Sequence, residues 1–214
     1  MTVEFQPFPK IARLNRDITI TEKIDGTNAA VVIVAEDDPA SAAGWITNLA
    51  VNGVRHTIYA QSRNKFIIPG KSTDNYGFAG WVNANAEDLV EILGAGTHFG
   101  EWWGSGIQRG YGRRNGEKRF SLFNTGRWTV AALDAVPSLD VVPVLYEGKF
   151  DQALIDQAIY SLSTDGSAAA PGFMRPEGIV VYHHALRSSF KVTLEGDEAP
   201  KGAAGHALDI ERAA

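Results

Sequence analysis

The stretch that most constrains this chain is a heptapeptide lying between two apolar runs, Glu22-Lys23-Ile24-Asp25-Gly26-Thr27-Asn28. Residues 18–21 before it alternate apolar and polar side chains as a half-buried strand does, and the Val- and Ile-rich residues 29–34 after it predict a buried strand. Gly26 permits a backbone turn that a Cβ would resist, so Lys23 and Asp25 can face one cavity. An ordinary hairpin with an exposed lysine has the same local pattern, so the interpretation depends on partners elsewhere in the chain.

Composition limits the classes of protein to which the chain can belong. Its 214 residues are enough for one domain with a substantial core, and 44% hydrophobic with 21% charged residues is ordinary for a soluble globular protein. No apolar stretch approaches membrane-spanning length, residues 1–16 lack an apolar signal core, and the absence of cysteine excludes disulfides and thiolate zinc sites. We therefore expect no membrane role and a cytoplasmic location, in a bacterium or a phage-infected host cell.

Turn and periodicity signals predict a chain of many strands with two or three helices. Asn52-Gly53 between the strand-like runs 45–51 and 54–61 is a strong hairpin signal. Residues 73–93 predict a helix in two pieces, with Asp74 capping the first and Gly94 ending the second. We also predict a short helix over 151–161, a small, polar and mobile segment over 163–172, and strands over 97–104, 120–124, 141–146, 179–182 and 188–192.

Two charged positions outside the heptapeptide are candidates for a site. Glu101 is an acid in an aromatic strand between glycines, and such an acid requires a partner or a ligand. Arg63 follows the end of a predicted strand, where solvated surface charge is the simpler interpretation. The adjacent His183 and His184 project to opposite faces of a strand, so we do not expect them to share a metal.

The heptapeptide contains Lys-x-Asp-Gly-Thr-Asn, which resembles the nucleophile motif of the covalent nucleotidyltransferases, the superfamily of polynucleotide ligases and mRNA-capping enzymes. Its Thr-Asn ending resembles RNA ligases most. Four further family motifs and an arginine then have counterparts in family order, at Ser62-Arg63, Gly100-Glu101-Trp102-Trp103-Gly104, Phe123-Asn124, Glu177-Gly178-Ile179-Val180-Val181 and Ser188-Ser189-Phe190-Lys191-Val192. The resemblance spans about residues 18 to 194.

The resemblance implies a role for each matched residue. Lys23 would be the nucleophile, Lys191 would neutralise the α-phosphate, and Asp25 would orient the lysine or a metal-bound water. Glu177 would hold the catalytic metal. The nucleotide-binding residues would be Glu22, Ile24, Asn28, Arg63, Glu101 on the ribose, Phe123 against the purine and Lys191 on the phosphate.

Two positions depart from the family pattern. Asn124 stands where relatives often carry an aspartate after the phenylalanine. Many relatives have two lysines separated by one residue in the fifth motif, whereas Ser189 and Thr193 flank Lys191 here. Lys191 would then act alone, or share its role with Lys149, Lys201 or an arginine.

The implied fold is α+β, with two antiparallel sheets, flanking helices and the nucleotide in the groove between the sheets. Residues 1–194 would form the adenylation domain and residues 195–214 a tail, without the family's frequent oligonucleotide-binding or helical module. The implied activity is an ATP-dependent RNA ligase that uses Mg²⁺, or Mn²⁺ in its place, and acts as a monomer on RNA or a nicked duplex with 5′-phosphate and 3′-hydroxyl ends. A minimal DNA ligase, a capping guanylyltransferase and a catalytically silent end-binding module are the alternatives.

The segment 108–119 is glycine-rich and carries the most concentrated positive charge in a chain of net charge −5. Its one acidic residue is Glu117, and its five cations are Arg109, Arg113, Arg114, Lys118 and Arg119. A solvated loop has the same composition, but an enzyme that grips a nucleic-acid backbone needs such a patch. We predict that these five side chains bind nucleic acid.

Overall fold

The computed structural model describes residues 3–35 and 44–196. Residues 36–43 of the polar loop, Lys201 and all but the first two residues of the predicted tail lie outside the described residues. The strands are β1 (Asp17–Lys23), β2 (Thr27–Ala35), β3 (Thr47–Val51), β4 (Val54–Ser62), β5 (Phe66–Ile67), β6 (Gly96–Gly104), β7 (Lys118–Leu122), β8 (Leu139–Val141), β9 (Val144–Lys149), β10 (Gly178–His183) and β11 (Ser188–Thr193). The helices are α1 (Phe78–Ala84), α2 (Ala86–Leu93), α3 (Val130–Leu133) and α4 (Gln152–Asp165), with a 3₁₀ turn at Gly110–Gly112.

The strands form two sheets, which confirms the predicted α+β class. One sheet has four strands in the order β11-β10-β1-β9, all antiparallel. The other has seven, with the order β3-β4-β2-β6-β7-β8 and β5 paired to β4, and its β7–β8 pair is parallel. The heptapeptide passes from one sheet to the other, because β1 belongs to the first and β2 to the second.

The hairpin predicted at Asn52-Gly53 joins β3 and β4. Both residues have left-handed backbone angles, with φ of 50° and 79°, as a two-residue hairpin turn requires. The seven-stranded sheet packs one face against α1 and α2, which are the two predicted helix pieces. Asp74 holds the start of α1 by accepting hydrogen bonds from the backbone N–H groups of Ala79 and Gly80 at 2.7 and 3.1 Å.

The four-stranded sheet packs one face against α4. Ile18 and Ile20 of β1 and Ile179 and Val181 of β10 are buried with Ile155 on that face. Because side chains alternate along a strand, Thr19, Thr21 and Lys23 lie on the opposite face. The lysine is therefore on the face of the sheet turned away from α4.

One prediction about local structure is wrong. The run 141–146 is not one strand, because β8 pairs in the seven-stranded sheet and β9 in the four-stranded sheet. The chain crosses between sheets at Val142-Pro143, where Val142 N–H donates to Leu122 and the Pro143 carbonyl accepts from Glu22. In the segment 163–172, α4 continues to Asp165 and the side chains of Ser167 and Ala170 are buried, and the predicted mobility of this segment stays a prediction.

Over the described part of the chain, none of the helices is both long and apolar enough to cross a membrane.

Candidate active site

Lys23 and Glu177 form the centre of the site. Lys23 is the last residue of β1 and pairs in register with Gly178, the first residue of β10, so Glu177 lies beside it. The Lys23 Nζ and Glu177 Oε2 atoms are 2.6 Å apart, and both side chains are largely buried, with exposed fractions of 22% and 16%. Antiparallel pairing thus brings together the two residues on which the sequence interpretation most depends.

Glu101 lies on β6 opposite Asn28 of β2, so the third predicted motif lies beside the heptapeptide. Its Oε1 accepts a hydrogen bond of 3.0 Å from the backbone N–H of Gly26. A Cβ at Gly26 would lie 2.5 Å from the Trp102 carbonyl oxygen and 2.8 Å from the Trp103 Cβ. The glycine is therefore required by this close approach to β6, rather than by the turn that the sequence predicted.

Burial raises the pKa of Glu101 to about 7. The Lys23 charge and the Gly26 N–H oppose this shift, while the negative charges of Glu177 and Asp25 add to it. The carboxyl group of Glu101 consequently changes its protonation state close to neutral pH.

Asp25 is paired with Arg109. The Arg109 Nε and Asp25 Oδ2 atoms are 3.1 Å apart, and the same guanidinium donates to the Arg175 and Pro176 carbonyls at 3.1 and 3.3 Å. It also lies 3.2 Å from Glu195. Arg109 therefore joins the heptapeptide to the segment that precedes Glu177. The predicted role of Asp25 toward the lysine or a metal-bound water, and that of Arg109 toward nucleic acid, stay predictions.

Tyr111 is a site residue that sequence reasoning missed. Its hydroxyl accepts hydrogen bonds from the backbone N–H groups of Asp25 at 3.0 Å and Glu177 at 3.3 Å, and donates to the Lys23 carbonyl at 3.4 Å. Burial raises the pKa of this phenol well above its usual range, so it remains a donor. The available signal was one aromatic residue between two glycines in an otherwise basic loop.

Glu22 and Ile24 are buried away from the surface that Lys23 and Glu177 share. The Glu22 carboxylate is 1% exposed and accepts hydrogen bonds from the Ser167 hydroxyl at 2.6 Å and the Ala169 N–H at 2.8 Å. Its burial raises the pKa of Glu22. Ile24 packs in a cluster with Trp103, Tyr111, Val142 and Ala170. The predicted contacts of Glu22 and Ile24 with the nucleotide stay predictions.

Lys191 and Arg63 are exposed. Lys191 lies on β11 two residues before Thr193, which pairs with Gly178, so it is on the same sheet face as Lys23. Arg63 lies in the turn between β4 and β5. Across residues 3–35 and 44–196, neither cation forms an ion pair. Lys149, suggested as a helper for Lys191, is paired with Asp17 at 2.6 Å.

Two exposed aromatic rings lie on the Glu101 face of the seven-stranded sheet. Phe123, predicted to contact the purine, follows β7, is 41% exposed and donates its N–H to the Phe99 carbonyl at 3.0 Å. Phe99 is two residues before Glu101 on β6 and is 48% exposed, so its side chain lies on the same face. The sequence interpretation missed Phe99.

The predicted basic patch is partly neutralised by acidic side chains, one within the segment and one beyond it. Arg113 is 2.7 Å from Glu117 and lies over the Trp103 ring, whereas Arg119 is 3.3 Å from Asp140. Among the residues with described positions, Arg114 and Lys118 have no acidic partner. The two are therefore the better candidates for nucleic-acid contact, and binding by any of the five cations stays a prediction.

The rings of His183 and His184 contact different partners. His183 Nε2 donates to the Leu14 carbonyl at 2.8 Å, while the His184 ring is 2.9 Å from the Thr19 hydroxyl. The described ranges contain no group of three or more acidic, histidine or cysteine side chains arranged to hold a metal ion.

Comparison with known proteins gives a family and a fold. The family model described as RNA ligase matches residues 16–193. No curated protein matches the sequence. The structure is similar to a variant of Naegleria gruberi RNA ligase with AMP and Mn, at a TM-score of 0.54 and 18% identity over 84% of this chain and 50% of that chain. A variant of the same ligase with ATP and Mn has a TM-score of 0.54 and 17% identity, over 84% of this chain and 50% of that one.

A third structure, Naegleria gruberi RNA ligase with pyrophosphate, has a TM-score of 0.52 and 17% identity, again over 84% of this chain and 50% of that chain. This chain thus spans about half the length of the solved structures that it matches. The family model covers most of the present sequence, including all five predicted motifs. The chain belongs to the RNA ligase family.

Proposed function

We propose that this protein is an ATP-dependent RNA ligase that forms a covalent AMP adduct on Lys23, transfers the AMP to a 5′-phosphate end and seals that end to a 3′-hydroxyl. The observation that carries the proposal is the 2.6 Å contact between the Lys23 amine and Glu177 at the junction of the two sheets. The AMP, ATP, Mn and pyrophosphate in the solved structures of the Naegleria enzyme support ATP as the nucleotide.

The first step needs an unprotonated amine on Lys23. In the resting protein the amine is paired with Glu177. This contact must be exchanged or shared when Lys23 reacts. Lys23 Nζ then forms a bond to the α-phosphorus and loses a proton to solvent, while the bond from that phosphorus to the bridging oxygen breaks and pyrophosphate leaves with the electron pair.

The residues on the two sheets supply the positions for ATP. Lys191 shares the sheet face of Lys23 and is free to neutralise the α-phosphate. Glu101 lies on the other sheet, with Phe99 and Phe123 along the same face as surfaces for the base. Charge neutralisation and in-line positioning carry most of phosphoryl transfer, so these contacts are the main contribution of the protein.

The donor set fits Mg²⁺, with Mn²⁺ as a substitute. Glu177 and Asp25 offer carboxylate oxygens near Lys23, and Mg²⁺ sites commonly use one or two carboxylates together with substrate phosphates and water. When bound, the cation would neutralise charge on the phosphates. Glu177 would hold it, and Asp25 would contribute only after exchange or sharing of its contact with Arg109.

In the later steps, an oxygen of the 5′-phosphate displaces Lys23 from the AMP, and the 3′-hydroxyl then displaces AMP to form the phosphodiester. We propose RNA ends, alone or in a nicked duplex, as the substrate, with Arg63, Arg114 and Lys118 as phosphate contacts and a monomer as the active form. Sealing of 3′-deoxyribose nicks in preference to 3′-ribose nicks would instead indicate a minimal DNA ligase.

The test is mass spectrometry after incubation with ATP and Mg²⁺. The expected result is one AMP adduct on Lys23, released by acid or by pyrophosphate, and its absence in Lys23→Ala. Lys149→Ala is a matched control, because Lys149 is paired with Asp17 at the other end of β1, and it should be labelled like the parent. Label on another residue, label only from GTP, or no label at all would contradict the proposal.

A further inference from the structure

The Tyr111 hydroxyl is bonded to three backbone groups that belong to the reacting part of the molecule. It donates to the carbonyl of Lys23 and accepts from the N–H groups of Asp25 and Glu177. A phenolic oxygen offers one donor and two acceptor positions, so its hydrogen-bonding capacity is fully used.

The Tyr111 ring is held on two sides. It stacks on Phe173 with the ring centres 4.5 Å apart, and meets the edge of Trp103 at 5.4 Å. The residue is 2% exposed and has a left-handed backbone, with φ of 48° and ψ of 38°. An aromatic residue rarely adopts this conformation, and such outliers persist only when the surrounding contacts determine them.

The Tyr111 hydroxyl forms its hydrogen bonds at the point where the pairing of β1 with β10 ends. The last register pair of β1 and β10 is Lys23 with Gly178. Beyond that pair the two segments separate. The chain after Lys23 runs toward β6, where Gly26 contacts Glu101, whereas Glu177 is preceded by Pro176 outside β10. The Tyr111 hydroxyl bonds to both segments at this point and limits how far the backbones of Lys23 and Glu177 can move apart.

We propose that Tyr111 is a positioning residue that sets the Lys23 amine relative to Glu177 for attack on the α-phosphorus. This inference rests on the proposed function. A loop outside the five predicted motifs thereby controls the geometry of the nucleophile. Its effect falls on the step in which Lys23 reacts as a nucleophile, and much less on nucleotide affinity or on the final sealing step, in which Lys23 forms no bond.

The test compares Tyr111→Phe with Tyr146→Phe. Each variant keeps its ring and loses one hydroxyl, and the Tyr146 hydroxyl donates to the Lys149 carbonyl at 3.0 Å, away from Lys23. Small misplacements of reacting groups are costly, so we expect the rate of lysyl-AMP formation at saturating ATP to fall about tenfold or more in Tyr111→Phe. The ATP concentration for half-maximal rate, and the sealing of a pre-adenylylated strand, should stay within about threefold of the parent values.

Tyr146→Phe should match the parent in every step. A parent that forms no lysyl-AMP overturns the proposed function, and this inference with it. A parent that labels normally, beside a Tyr111→Phe that labels equally fast, overturns the positioning role alone. Parallel losses in adenylylation and in sealing of the pre-adenylylated strand also overturn it, because that pattern indicates only a structural role.

A second measurement does not depend on the folding of the variant. In the parent, the amide protons of Asp25 and Glu177 should exchange slowly with solvent, because the Tyr111 hydroxyl accepts from both. Rapid exchange of these two amides, with slow exchange of their neighbours in β1 and β10, would show that the hydroxyl does not hold them and would overturn the proposal.

Discussion

Around Lys23 each charged side chain has a partner from the protein itself, whereas Arg63 and Lys191 are exposed and pair with no acid in the described ranges. Lys23 contacts Glu177, Asp25 contacts Arg109, and the Glu101 carboxylate accepts from Gly26. The first group, which we call the nucleophile end, is thus connected before any ligand arrives. Arg63 follows β4 of the seven-stranded sheet and Lys191 lies on β11 of the four-stranded sheet, and we call these two exposed cations the phosphate end.

The difference between the two ends has a physical reason. Partly buried charges need partners because the loss of hydration is costly, and those partners also restrict their geometry. Exposed cations remain hydrated and contribute little to stability, but they are free to meet a phosphate. The nucleophile end should therefore couple stability to activity, while the phosphate end should affect activity alone.

The largest expected effect is a loss of lysyl-AMP formation, which we expect at both ends. The accompanying change in stability separates the two ends. Glu177→Gln and Lys191→Ala should each reduce lysyl-AMP formation, by about 10²- to 10³-fold, as expected when a group that stabilises transition-state charge is removed. Glu177→Gln should also destabilise the protein by about 1 kcal/mol, because Lys23 loses its charged partner. Lys191→Ala should change stability by less than about 0.5 kcal/mol.

Rapid-quench measurement of adenylylation and urea unfolding check these values on the same preparations. Lys10→Ala, an exposed lysine in the segment before β1, is a control that should leave both quantities unchanged. Equal destabilisation by Glu177→Gln and Lys191→Ala would remove the distinction between the two ends.

A smaller effect concerns the pH dependence of stability at the nucleophile end. Because the folded protein raises the pKa of Glu101 from 4.5 to about 7, folding favours the protonated acid. The contribution of the protonated Glu101 to folding stability is complete below about pH 4.5 and is lost as pH rises through about 7. At about 1.36 kcal/mol per pKa unit, the loss of stability amounts to at most about 3 kcal/mol. Glu101→Gln should remove this loss and be more stable than the parent above pH 7.

Urea unfolding between pH 5 and pH 8, without nucleotide or metal, measures this effect. Burial also raises the pKa of Glu22, so a residual slope of the same sign should persist in Glu101→Gln. A variant whose stability varies with pH as steeply as that of the parent would show that Glu101 is not desolvated as the structure indicates.

The smallest effect concerns the basic segment, in which paired and unpaired cations lie side by side. Neutralising Arg114 and Lys118 together should weaken binding of nicked RNA and lower the slope of log affinity against log salt by about two units, because each phosphate that a cation neutralises adds roughly one. The double variant of Arg113 and Arg119 should change this slope less, because Glu117 and Asp140 already neutralise those side chains.

Binding titrations at low and moderate salt measure the slope, and lysyl-AMP formation should remain near the parent value in both double variants. An unchanged slope in the variant of Arg114 and Lys118 would mean that the nucleic acid is held elsewhere. A larger change in the variant of Arg113 and Arg119 would mean that nucleic acid displaces their acidic partners.

The sequence by itself determined the elements that have local signals. The alternation before the heptapeptide, the apolar run after it and the Asn52-Gly53 turn predict strands and a hairpin that depend on neighbouring residues. The heptapeptide and Glu177 were recognisable because the chemistry restricts residue types within short segments. Their meeting at 2.6 Å follows from antiparallel pairing of two strands that each carry one motif.

Only the tertiary structure decided which charges meet. Asp25 and Arg109 are 84 residues apart in sequence, Asp25 and Tyr111 are 86 apart, and Glu22 and Ser167 are 145 apart. The loop that carries Arg109 and Tyr111 follows left-handed turns at Gln108, Tyr111 and Asn115, so it has no periodicity that would predict where a side chain points.

The same limit explains the error at residues 141–146. Periodicity records which side chains are apolar, but it does not record which sheet buries them, and the chain there leaves one sheet for the other at Val142-Pro143. Contacts between distant segments depend on the packing of both sheets at once. For that reason the sequence could nominate candidate site residues from short motifs, whereas it could not predict the partners that contact them in the fold.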